Sequence, residues 1–84
     1  MGKTMDRATL VLLDELLERA AAELEANGFA RESIRLPKPT LERIRLAGEL
    51  LVERAADRFP SLDPYVSSSA DGTITLVLDG RKTR

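Results

Sequence analysis

The run Thr73-Ile74-Thr75-Leu76-Val77-Leu78 alternates strictly, and it follows Ala70-Asp71-Gly72, a tight-turn signal. Ile74, Leu76 and Leu78 therefore point one way and Thr73, Thr75 and Val77 the other. Tyr65 to Ser69 reads as a weaker strand on the near side of the turn, after the turn residues Ser61-Leu62-Asp63-Pro64. A lone hairpin is marginally stable in water, so its Ile/Leu face has to lie on helices supplied by the rest of the chain.

The first two thirds of the sequence meet that need. Residues 6–27 read as a helix, with Leu10, Leu13, Leu17, Ala20 and Leu24 spaced by threes and fours and Asn27-Gly28 as the stop. Residues 40–59 read as a second, with Leu41, Ile44, Gly48, Leu51, Val52, Ala55 and Phe59 on one face and Pro60 at the end. Gly48 lies within that face, where a missing side chain suits a close approach by the first helix. Residues 28–40 form the connection. It holds a candidate short extended segment at 33–36 before Pro37-Lys38-Pro39, with Pro39 suited to the first turn of the second helix.

The expected class is α+β: a two-helix hairpin packed on a small antiparallel β-hairpin, in the order α-α-β-β, with an optional third strand at 33–36. Eighty-four residues fit one small domain, with 1–5 and 80–84 as frayed ends.

Composition removes several kinds of chemistry. The chain has no cysteine and no histidine, which rules out disulfides and thiolate or imidazole metal sites. No cofactor or metal is expected. The formal charge of −1 favours neither nucleic acid nor an acidic ligand. Leu10 to Leu17 is interrupted by Asp14 and Glu15, so it reads neither as a signal peptide nor as a span of about 20 apolar residues. A cytoplasmic location is the default expectation.

Catalytic motifs fail on context. Gly2-Lys3-Thr4 resembles the end of a phosphate loop but lacks the preceding strand and glycine. Ser67, Ser68 and Ser69 have no histidine to activate them. Asp14 with Glu18, and Glu49 with Glu53, lie one helical turn apart and read as solvated helix faces. Asp71 and Asp79 each precede a glycine and read as turn residues. No enzyme activity and no small-molecule substrate are expected.

Two features point to binding. Leu12 and Leu16 widen the apolar arc of the first helix, and Leu46 and Leu50 lie nearly opposite the apolar stripe of the second, beside Arg43, Glu53 and Asp57. These leucines, with Arg43, are the candidate partner-binding residues. Charge is also segregated: residues 14–25 carry five acids against Arg19, and residues 31–45 carry Arg31, Arg35, Lys38, Arg43 and Arg45 against two acids. With Arg81, Lys82 and Arg84, those bases would form a patch for phosphates if the chain brought them together. The leading expectation is a non-catalytic protein-binding module of the inhibitor, adaptor or antitoxin kind, pairing with another protein or with itself as a homodimer. The alternative is a nucleic-acid-binding regulator using the basic residues, and a third reading is a structural subunit of an assembly.

Overall fold

The computed structural model describes residues 6–80. In chain order it contains α1 (Arg7–Asn27), β1 (Phe29–Arg35), α2 (Leu41–Arg58), β2 (Tyr65–Ser68) and β3 (Thr73–Asp79). The class is α+β, as the sequence implies. The sheet has three strands in the order β1-β3-β2, and both pairings are antiparallel. Both helices lie on one face of it, α1 mainly on β1 and α2 on β2.

The extended segment between the helices is longer than the sequence suggests. It runs over Phe29–Arg35 and not 33–36, and it pairs with β3 along its whole length, from Phe29↔Asp79 to Arg35↔Thr73. The helices are therefore separated by a strand and do not form a consecutive hairpin. The strand starts where α1 stops: Gly28 takes a left-handed φ of 75° and returns its N–H to the Leu24 carbonyl. Gly80 is not a frayed end as its polar surroundings suggest: its N–H donates to the Gly28 carbonyl and extends the ladder by one step. Residues 1–5 and 81–84 lie outside the described residues.

Ile74, Leu76 and Leu78 are fully buried under the helices, as their alternation requires. They meet Leu13, Leu16, Leu17 and Ala20 of α1, Ala30 and Ile34 of β1, and Ile44, Ala47, Leu51 and Ala55 of α2 in one core. Thr9 is the one buried polar side chain among the described residues, and its hydroxyl donates to Asp6 at 2.6 Å. On α2 the buried stripe is displaced from the expected one. Leu41 is 80% exposed and Val52 38%, while Ala47 is fully buried. The small side chains of Ala47 and Ala55 let the helix settle closely on the sheet, which turns Leu41 and Val52 outward. Pro39 lies outside the helix, because Thr40 is its N-cap and accepts a hydrogen bond from the Arg43 N–H.

The β2–β3 turn is a three-residue loop closed by Ser69. The Ser69 N–H donates to the Thr73 carbonyl, and the Ser69 carbonyl accepts from the Gly72 N–H. Gly72 has φ 95°, and its carbonyl accepts from the Leu36 N–H, tying the turn to the end of β1. A Cβ at Gly72 would stand 2.7 Å from the Cβ of Pro39. Strain and clash thus act together at this position.

Gly48 differs. Its nearest neighbour would be the Cγ1 of Val66 in β2, at an ordinary 3.9 Å, so the glycine does not serve a close approach by α1. The two glycines predict opposite outcomes in urea unfolding. Gly72→Ala should lower stability by about 1–3 kcal/mol. Gly48→Ala should raise it by about 0.5–1 kcal/mol, because alanine favours a helix interior and the space is open.

Candidate functional site

The sheet has one covered face and two edges, and the edges are built differently. In an antiparallel ladder, alternate residues bond to the neighbouring strand while those between direct their N–H and C=O outward. Along β1 the Leu36–Gly72 and Gly80–Gly28 bonds fix the phase, so Ala30, Glu32 and Ile34 bond β3, and Arg31 and Ser33 face out with Phe29 and Arg35 at the ends. At the two middle positions α1 takes one backbone group each. Glu23 accepts the Arg31 N–H at 2.9 Å, and Arg19 donates to the Ser33 carbonyl at 3.2 Å while also pairing with Glu32. Side chains of α1 close this edge.

The β2 edge has no such cover. The Ser69–Thr73 bond sets its phase, so Tyr65 and Ser67 bond β3, and Val66 and Ser68 direct their backbone groups outward. Among the described residues nothing takes those groups. Gly48 sits over Val66, which places Leu41 and Val52, on the same flank of α2, above this edge. Tyr65 is 63% exposed on the opposite, open face of the sheet. Of four exposed large apolar side chains among the described residues, only Val11 lies elsewhere. The free backbone and the exposed apolar groups coincide.

The residues proposed from sequence fare unevenly. Leu16 is fully buried and Leu12 packs against the core, so neither offers a free surface. β1, inserted beneath α1, widens the surface that α1 covers and absorbs both. Leu50 is likewise packed on the core, on the α1 side of α2, and Leu46 is half-buried. Arg43 reaches Asp6 at 3.5 Å. Sequence patterning gives no sign of Val66 and Ser68, whose outward backbone groups form the open edge. The exposure of Leu41 and Val52 was missed because their spacing matches a core stripe.

The seam between the helices does not join the acidic 14–25 run to the basic 31–45 run. Arg43, Arg54 and Arg58 of α2 pair with Asp6, Asp14 and Glu18 along the seam between the helices. Arg58 also lies over the ring of Phe59. The basic residues of 31–45 do not converge. Arg31 and Arg35 are on the open face of the sheet, where Arg35 pairs with Asp71, whereas Arg45 pairs with Glu49 on α2. Lys38 stands between Pro37 and Pro39 with φ 51°, and Arg81, Lys82 and Arg84 lie outside the described residues. No group of His, Cys, Asp or Glu among the described residues is arranged to hold a metal ion. No described helix is long and apolar enough to cross a membrane. A cleft of about 380 Å³ opens between the end of α1 and the loop after α2, lined by Leu24, Phe59, Leu62 and Arg58 among others. It brings together no cluster of reactive groups.

Comparison with known proteins finds no relative: no family model, no curated protein and no solved structure matches the chain.

Asp71 anchors the free edge through the turn. Its carboxylate accepts from the Ser69 hydroxyl and from the Thr73 N–H, and those bonds, helped by Arg35, hold its pKa at about 2. Asp6 and Glu18 are also lowered, chiefly by hydrogen bonds from Thr9 and Arg58. A carboxylate whose pKa falls on folding stabilises the fold at pH values above its unfolded value, and loses that contribution as pH drops through the folded one. Stability should therefore decline between pH 4 and pH 2. Asp71→Asn keeps an acceptor for Thr73 but removes the charge, so chemical denaturation across that range should give a shallower decline for the variant.

Proposed function

We propose that this chain is a non-catalytic protein-binding module whose contact is made by backbone pairing at the β2 edge. The observation that carries the reading is the contrast between the two edges: β1 is closed by Glu23 and Arg19, while Val66 and Ser68 of β2 present unpaired N–H and C=O groups. An added strand would gain main-chain hydrogen bonds there, with specificity from side chains on either side of the sheet. Leu41 and Val52 above and Tyr65 below supply apolar contact around the polar backbone. The reading differs from a helix-surface site because Leu12, Leu16 and Leu50 are committed to the core. The basic residues favour nucleic acid less, since Arg43, Arg45 and Arg35 are each paired with an acid and lie on different layers.

A photocrosslinking phenylalanine analogue at Tyr65 tests this directly in an extract of the source cells. The expected product is a polypeptide adduct that survives nuclease, is removed by protease, and falls several-fold in yield when Ser68→Pro is added. Proline there removes an outward N–H without breaking a bond to β3. Adducts to nucleic acid alone, or a yield indifferent to Ser68→Pro, would overturn the proposal.

A further inference from the structure

We infer that the strand received by β2 is β2 of a second copy of this chain, paired antiparallel about a twofold axis through Ser67; this rests on the reading above. The edge is self-complementary in register. Its outward residues, Val66 and Ser68, lie symmetrically about Ser67, so an axis there sets Val66 of each copy opposite Ser68 of the other. Each copy contributes two N–H and two C=O groups, and every one finds a partner. The result is one continuous sheet of six antiparallel strands whose remaining edges are the two β1 strands, both already closed by α1.

The side chains agree with that occupant. Val66 faces the helix layer and packs on the core, so across the seam it meets the small Ser68 of its partner on the same face. On the open face Ser67 meets its own copy, and serine is small and uncharged at the one position where any charge would oppose itself. Above the sheet the same axis brings the two α2 helices side by side, antiparallel, with Leu41 and Val52 of each turned toward the seam. Arg45 and Glu49 occupy that outward flank one turn apart, and antiparallel α2 helices set the base of one copy beside the acid of the other. A foreign strand would satisfy the backbone equally well but is not matched to this charge order.

Ser67 supplies a test specific to the axis. Light scattering on size-exclusion fractions should give twice the 9.3 kDa chain mass for the unaltered protein at tens of micromolar. Ser67→Lys and Ser67→Glu, each alone, should shift the mass to that of one chain with unchanged circular dichroism, because each variant places like charges face to face. Mixed in equal amounts, the two variants should recover the double mass as a mixed dimer. A single-chain mass for the unaltered protein at every concentration up to about 500 μM, far above the micromolar range of an ordinary specific interface, would overturn the inference. So would a double mass that survives in each Ser67 variant, since the pairing would then use another surface. If a variant unfolds, Ser68→Pro takes its place, and a folded dimer of that variant likewise overturns the inference. A monomer that still crosslinks a different protein through Tyr65 would overturn the second copy alone and leave the edge-binding function standing.

Discussion

The structure depends on β3 having only one apolar face. Ile74, Leu76 and Leu78 are fully buried, whereas Thr73, Thr75 and Val77 face the other way. Both helices must then lie on the same side of the sheet, since the Thr face offers them little to bury. As the central strand, β3 bonds β1 through one set of residues and β2 through the alternate set. The register of the whole sheet is consequently fixed by the hairpin turn at one end and by the Gly28–Gly80 bond at the other.

Two helices on one face make the edges unequal. α1 runs over β1 and carries long polar side chains that bend down to its outer backbone, so Glu23 and Arg19 stand where another strand would otherwise bond. α2 has no counterpart over β2. Its flank there bears Leu41, Gly48 and Val52, and the Arg45 and Glu49 beside them bond to each other and not to β2. The seam between the helices also consumes charge, because Asp14 and Glu18 of α1 pair with Arg54 and Arg58 of α2.

Both helices and the hairpin were legible because their patterns are dense: leucines at helical spacing in α1, strict alternation in β3, and Asp-Gly at the turn. β1 was legible only at its end. Its inward residues are Ala30, Glu32 and Ile34, and a glutamate in the middle hides the alternation. Glu32 is tolerated on the helix side because Arg19 meets it there. The stripe of α2 was misplaced for a related reason. Leu41 and Val52 outweigh Ala47 on any hydrophobicity count, yet the alanines are what the close packing selects.

β1 also accounts for the apolar surplus that the sequence of α1 suggests. Leu12 and Leu16 exceed what a two-stranded hairpin would need, and with β1 beneath them the excess disappears. Surplus apolar width on a helix therefore has two physical readings, an absent partner or an unrecognised element of the same chain, and here the second accounts for it. A helix satisfies its own backbone, so exposed leucines on it demand nothing specific from a partner. A strand edge is different in kind. Its N–H and C=O groups can be satisfied fully only by another backbone, by side chains such as Glu23 and Arg19, or by water. With the leucines absorbed and side chains of α1 standing across β1, the β2 edge is, among the described residues, the edge most open to directional bonds.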